Sequence, residues 1–330
     1  MVLNPKIFCL KHGIENDSFQ INIESIMLQS EIISSIFSFI INAGYVAKIA
    51  SIEHLKEIED EMTMRKRKDI FDENFYKERL TSFKFTTDTV LPDAKSIIII
   101  AVPQPTVILI FRRNGINQQV TIPPTYDYSV NIEIETKLKE IINPEGYNIC
   151  TTSIPLKLIA VKSGLAEYGR NNICYIPGKG SFFRLMAFFS NLPCKEDIWR
   201  PVCMMERCKR CKACMLACPT GAIDGRRFLI YAEKCISFHN EHGIDFPENI
   251  DRSFHNCLLG CLKCQIVCPE NKKTVKWIEV GVKFSEFETS VILNGIPLEK
   301  IPHSTQKKLD ALGLIDDYSL LARNLSVLLD

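Results

Sequence analysis

The chain has 330 residues, 46% of them apolar, enough to bury a sizeable core in two or three domains. Forty basic residues stand against thirty-nine acidic ones, so no global field draws the protein to nucleic acid or to a membrane. Fourteen cysteines in so long a chain do not fit the small secreted disulfide scaffold, and residues 1–11 hold no apolar signal-peptide core; a cytoplasmic protein is expected.

Residues 24–42 set apolar against small polar positions at helical spacing and stop at Asn42-Ala43-Gly44. The stretch 26–41 contains Gln29, Glu31 and four serines, too polar to span a bilayer. Residues 53–68 predict an exposed, charged helix whose basic end, Arg65 to Lys68, is solvated surface in preference to an RNA patch. Residues 95–102, a run of four isoleucines closed by Pro103, predict a central strand buried on both faces. Residues 107–111 and 119–122 flank Arg113-Asn114-Gly115, a hairpin signal. An amphipathic helix over 129–142, a short strand over 147–151 and a helix over 155–162 capped by Gly164 follow. Helical patterns return over 306–312 and 318–329.

The fold class expected is α+β. A mixed α/β main domain (1–198) precedes a ferredoxin-like double-cluster domain (199–272) and a small C-terminal helical cap (273–330) with no chemistry of its own. Pro177-Gly-Lys-Gly-Ser181 is read as a tight turn, because a phosphate loop would need Gly-Lys-Ser/Thr without the inserted glycine. No Gly-x-Gly-x-x-Gly follows a strand, so a Rossmann-type nucleotide site has no support. His239 and His242 are placed on a loop surface rather than on a metal.

The chemistry lies in the cysteines. Cys208, Cys211, Cys214 and Cys218-Pro219 follow the C-x₂-C-x₂-C-x₃-C-P pattern of 4Fe–4S ligation, in which the fourth cysteine serves a second cluster. A second half-run, Cys261, Cys264 and Cys268-Pro269, supplies the interlocking partner. One cluster takes Cys208, Cys211, Cys214 and Cys268. The other takes Cys218, Cys261 and Cys264 and lacks one thiolate, for which spacing alone leaves Cys235 and Cys257 equal. Zinc sites use C-x₂-C pairs but rarely this triple spacing ending in Cys-Pro. Cys9, Cys150, Cys174, Cys194 and Cys203 are read as buried or incidental thiols.

Three segments in order carry a resemblance: Gly164-Leu-Ala-Glu-Tyr-Gly-Arg-Asn171, Gly180-Ser-Phe-Phe-Arg-Leu185, and the double cysteine run with Cys-Pro-Thr-Gly-Ala-Ile223 and Cys235-Ile-Ser. Over roughly residues 90–272 the chain resembles the epoxyqueuosine reductase family, whose members and reductive dehalogenase relatives bind cobalamin beside two 4Fe–4S clusters. The resemblance implies Cys235 as the eighth ligand. It places Cys174, Leu185 and Ser237 where the family contacts the corrin, and Thr152 in the same cofactor-facing set. Thr152 stands where the family's Asp-Ser-x-Pro segment has its proton-donating aspartate, and a hydroxyl is far too weak an acid for that role. The family's Gly-Trp pair is Glu167-Tyr168 here, and its Asp-Tyr-His segment is Asp127-Tyr128-Ser129; Tyr168 and Glu167 are the alternative proton sources.

The function expected is an iron–sulfur oxidoreductase passing single electrons through two clusters to a bound corrinoid, related to epoxyqueuosine reduction without performing it. The alternative is an electron-transfer or corrinoid-reactivating ferredoxin-type protein with no substrate of its own. The partner expected is a low-potential donor of the ferredoxin or flavodoxin kind; tRNA is the less favoured partner, and no membrane is involved.

Overall fold

The computed structural model describes the backbone of residues 15–329 apart from residue 244, and side chains from residue 28; Cys9 and the rest of residues 1–11 lie outside the described residues. The chain opens with α1 (Glu15–Asn42), β1 (Val46–Ser51), α2 (His54–Arg67) and α3 (Glu73–Arg79). The isoleucine run forms β2 (Ser96–Pro103), and β3 (Thr106–Arg113) and β4 (Ile116–Ile122) follow. Next come α4 (Ser129–Ile142), β5 (Ile149–Thr151), α5 (Leu156–Lys162), the short ladder of β6 (Glu167–Tyr168) and β7 (Cys174–Tyr175), and β8 (Phe183–Ser190). The cysteine-rich region holds the short helices α6 (Ala213–Ala217), α7 (Ile236–Asn240) and α8 (Lys263–Ile266). β9 (Ile278–Phe284), α9 (Glu286–Leu293), α10 (His303–Ala311) and α11 (Tyr318–Leu329) complete the order.

The main sheet runs β1-β2-β8-β5, and every neighbouring pair is antiparallel. As its composition requires, β2 is central and covered on both faces. Ile97, Ile99 and Ala101 face Leu55 and Ile58 of α2 and Leu158 and Ile159 of α5. Ile98, Ile100 and Val102 face Ile36 and Ile40 of α1 and Ile134 and Leu138 of α4. Each fully buried isoleucine removes surface worth about 1.5–3 kcal/mol, and a one-residue slip would exchange the two sets, so the register is firmly specified.

The β3–β4 hairpin turns through Asn114 (φ 52°) and Gly115 (φ 74°), two successive left-handed residues that suit the twist of the strands. The C-terminal segment is helical as expected, and it also contributes β9, which pairs parallel with β3 to give a second sheet of order β4-β3-β9. Phe111 and Phe284 stack there with centroids 4.6 Å apart, over Leu321 and Leu325 of α11. Leu258 and Leu259, from between the two cysteine runs, belong to the same core. Asn324 Nδ2 donates to the carbonyls of Asn240 and Leu258 at 2.8 and 2.9 Å, tying α11 to the cysteine region.

Residues 227–231 have strand-like composition but form no strand. The Asn172 amide occupies the place of a neighbouring strand, donating to Phe228 O (2.8 Å) and accepting from Ile230 N (2.6 Å). Residues 176–180 form the expected tight turn, with Ile176 N donating to Gly180 O at 2.8 Å. Among the described residues no helix is long and apolar enough to cross a membrane.

Candidate functional site

Two prolines set the direction of the last cysteine in each run. A residue before proline is held out of the helical region. Cys218 therefore leaves α6 at φ −76°, ψ 112°, and Cys268 leaves the turn after α8 at φ −73°, ψ 125°. Both runs end in the same bend, which points the terminal thiol at the other run's group.

The thiols gather in two groups. Burial pushes Cys214 up to about 11, with Cys208, Cys268 and Cys211 adding to it. Cys208 is likewise raised by burial and by Cys268 and Cys211. In the second group, burial pushes Cys261 up to about 11, with Cys235 and Cys218 adding to it. Cys264 is raised by burial and then by Cys235 and Cys261, and Cys235 by burial with Cys218 contributing. Cys264 also feels Cys214, so the two groups adjoin. Neighbouring thiols of this kind repel once ionised, and an iron core placed among them would supply the compensating charge. Two sets of four cysteines are the donor chemistry that such a group requires.

Cys235 and Cys257 separate on geometry. Cys235 stands at the start of α7, where its sulfur accepts from the amides of Ser237 and Phe238 and from the Ser237 hydroxyl; these contacts favour the thiolate. Cys257 is 1% exposed and packs against Phe182 and Leu262, with Cys261 as the one cysteine that perturbs it.

Further polar groups support the sulfurs. Arg170 donates to Cys211 O (3.2 Å) and Cys208 O (2.6 Å), bracing the first loop. The Tyr175 hydroxyl donates to the Cys268 sulfur, the Asn171 amide to the Cys264 sulfur, and Asn171 Nδ2 lies 3.0 Å from the Tyr175 oxygen. One buried amide–phenol pair thus spans both groups. Hydrogen bonds to ligand sulfurs tune cluster potential. The sequence alone assigns neither residue a role; Asn171 ends the Gly164–Asn171 segment, but nothing in its spacing to the cysteines marks the contact.

Beside the second group opens a cleft of about 670 Å³, within the range of small-molecule and cofactor sites. Its wall includes Cys218, Cys235, Cys261 and Cys264, and none of Cys208, Cys211, Cys214 or Cys268. Ile154, Leu156, Leu158 and Phe228 make much of it apolar. Arg65, Arg79, Lys157 and Arg227 add positive charge. Across the cleft, the Tyr126 hydroxyl donates to the Glu241 carboxylate, and Arg79 donates to Glu241 O at 2.7 Å. Burial raises the Glu241 carboxyl, against the lowering effect of Tyr126 and Arg79, and burial also raises the Tyr126 hydroxyl.

Of the four residues assigned to the cofactor from sequence, Ser237 lines the cleft. Thr152 lies just past β5, its hydroxyl buried without a hydrogen-bond partner, and is not on the wall. Cys174 is buried behind it, its thiol 3.5 Å from the carbonyl of the wall residue Lys157. Leu185 sits on β8 opposite Ala101 and packs against the core. Tyr168 lines the cleft with its hydroxyl raised by burial, whereas Glu167 is exposed and off the wall. Asp127 caps the start of α4 by accepting from Ser129 N (2.9 Å) and Oγ (2.5 Å). His242 pairs with Glu78 at 2.7 Å.

The 4Fe–4S double cluster binding domain family matches residues 207–271. Epoxyqueuosine reductase from Pseudomonas aeruginosa is 32% identical over 143 residues, 42% of this chain and 38% of that protein. The Bacillus subtilis epoxyqueuosine reductase is 28% identical over 201 residues, 57% of this chain and 50% of its own length. The matched stretches thus span about half or less of these relatives. The crystal structure of epoxyqueuosine reductase with an epoxyqueuosine-modified tRNA-Tyr stem loop aligns with TM-score 0.67 at 20% identity, covering 91% of this chain and 81% of that one, which shows a shared fold. The chain is thus similar to epoxyqueuosine reductases in sequence over part of its length and in fold over most of it, and it carries a double 4Fe–4S cluster binding domain, as the sequence resemblance implied.

Proposed function

We propose that the chain is an iron–sulfur oxidoreductase that moves single electrons from a low-potential donor toward a corrinoid held in the cleft, for a reaction other than epoxyqueuosine reduction. One observation carries this reading: the cleft wall contains all four cysteines of the second group and none of the first. The first group is then the entry side and the second the delivery side, with Cys208, Cys211, Cys214 and Cys268 as ligands of one cluster and Cys218, Cys235, Cys261 and Cys264 as ligands of the other. When bound, the clusters supply one-electron steps and the corrinoid the reactive metal.

The chain's own residues do the rest. Ile154, Leu156, Leu158 and Phe228 exclude water from the cleft, and Ser237 hydrogen-bonds the sulfur nearest it. Glu241, held by Tyr126 and Arg79, is positioned to keep and deliver a proton. Thr152 supplies no acid and is off the wall, so the aspartate's role is missing at its family position. The rival reading, a corrinoid-reactivating protein without substrate, draws on that loss; a carboxylic acid facing the cleft favours the enzyme.

The test uses the anaerobic chain with its clusters in place. Titration with hydroxocobalamin and cob(II)alamin, followed by absorption and EPR, should show about one bound equivalent; no calorimetric heat with any corrinoid would retire the reading. Epoxyqueuosine-modified tRNA should be reduced barely or not at all, and robust turnover would overturn the substrate assignment.

A further inference from the structure

The first cysteine group lies under a basic surface. Arg207, Lys209, Arg210 and Lys212 are all exposed between and beside its ligands. The Arg207–Glu270 ion pair (2.5 Å) draws the end of the second run, with exposed Lys272, against this loop. The Gly178-Lys179-Gly180 turn lies there too: a Cβ on Gly180 would stand 3.2 Å from Glu270 O. Glu270 pairs with Arg207 and Glu206 with Lys209, and the exposed Arg210, Lys212 and Lys272 are left in excess, so this face is positive in a chain whose formal charge is +1.

The basic rim surrounds aliphatic side chains. Leu216 is 81% exposed, Ile266 53% and Val267 41%. Leu216 and Ile266 occupy the same place in the two runs, two residues past the cysteine that precedes the final x₃ step, on helices α6 and α8 that pack together. An aliphatic centre within a charged rim is the anatomy of a protein contact, whereas phosphate binding has no use for exposed leucine and isoleucine.

We propose that this face, centred on Leu216 and Ile266 and rimmed by Arg207 to Lys212 and Lys272, is the docking surface for a small acidic one-electron carrier protein that reduces the chain at the first cysteine group. The inference rests on the reading of the protein as a cluster-bearing reductase. Charge complementarity selects the partner: an acidic carrier meets a basic rim and approaches under attraction. Each encounter transfers one electron, oxidising the carrier by one equivalent and reducing the chain by one, with no bond made and no proton moved. The cleft stays free, because its cysteines are those of the second group.

The experiment compares the anaerobic, cluster-loaded wild type with Arg210→Glu/Lys212→Glu and with Leu216→Ala. Cluster bleaching is followed by stopped flow, with a reduced acidic two-iron ferredoxin or with dithionite as donor. Dithionite should bleach all three proteins alike. The ferredoxin rate should fall at least ~10-fold in the charge-reversed protein and lose its dependence on salt. It should fall several-fold in Leu216→Ala with the salt dependence retained. Should the Arg210/Lys212 variant load its clusters poorly, Lys272→Glu/Lys273→Glu tests the same rim from the second run. Ferredoxin rates within twofold of wild type in charge-reversed protein with normal dithionite bleaching overturn the proposal. So does a variant that loses affinity for an RNA stem loop while keeping its ferredoxin rate, which would assign the rim to nucleic acid. A wild type that even dithionite fails to bleach sinks instead the cluster-reductase reading on which the surface rests.

Discussion

The sharpest consequence of the site geometry concerns the eighth thiolate, and it separates two cysteines that look equivalent in sequence. Two clusters of four irons bring about eight iron atoms to each chain. Cys235→Ser removes the sulfur toward which Ser237 and Phe238 direct their donors, leaving a hydroxyl that stays protonated near neutral pH. The second group is then reduced to Cys218, Cys261 and Cys264, and iron should fall toward about four per chain while the first group keeps its complement. Cys257 needs a different substitution. A serine there would bury a hydroxyl beside Phe182 and Leu262 at a cost of about 1–3 kcal/mol, confusing ligand loss with instability. Cys257→Ala leaves only the space of one sulfur, costs about 1 kcal/mol, and should keep all eight irons. Iron and acid-labile sulfide are counted after anaerobic reconstitution, and EPR of the dithionite-reduced protein reports whether two centres still interact. Loss of about half the iron in Cys257→Ala, with full iron in Cys235→Ser, would refute the ligand set.

Other consequences are structural. Asn324→Leu leaves the buried carbonyls of Asn240 and Leu258 without their shared donor, so chemical unfolding should show a loss of about 2–4 kcal/mol; no change would mean that α11 is not anchored there. Gly260 has φ +61° and passes so close to the Tyr126 hydroxyl that any Cβ would overlap it, so Gly260→Ala should cost more than about 1 kcal/mol, read as a lowered Tm. His255 is held down to about 4 by burial and by the nearby charge of Arg323. Its folded value is depressed, so the unfolded chain binds the proton first as pH falls, and stability drains between about pH 6.5 and 4 by roughly 3 kcal/mol in all. Urea midpoints of anaerobic protein at pH 7 and pH 5 should differ accordingly, and His255→Gln should flatten the difference; an unchanged slope in that variant removes His255 as the cause.

What could be read from the sequence was what is encoded locally. The cysteine runs declare themselves because ligand spacing is a property of a dozen adjacent residues, and the Cys-Pro bends follow from proline sterics alone. The hairpin at Asn114-Gly115 and the helix at Ser129–Ile142 carry their own turn and periodic signals. Strand direction had no such signal: an unbroken isoleucine run suits any strand buried on both faces, and the partners of β2 are fixed by segments nearly a hundred residues away in one case and fifty in the other. β9 was hidden for the same reason. Its exposed Ile278 and Val280 give a poor pattern, and its place depends on pairing with β3 more than 160 residues earlier.

The cleft illustrates the deeper limit. Its wall is assembled from the stretch after α2, the loop before α4, the start of α5, and the regions around Cys218, Cys235 and Cys261, so no window of sequence contains its chemistry. The family comparison directs attention to Thr152, where an acid is missing, yet that side chain is behind the wall while Glu241 is on it. Glu241 reaches the cleft because α7 ends at Asn240, whose side chain donates to the carbonyls of Cys257 and Gly260. Those two bonds fix the end of α7 against the second cysteine run, and the next residue turns toward Tyr126. The carboxylate is thus placed by the same segment that carries the second group of thiols. In the function proposed, proton delivery and electron delivery share one structural support, so a change that loosens the second run, such as Gly260→Ala, should disturb both together.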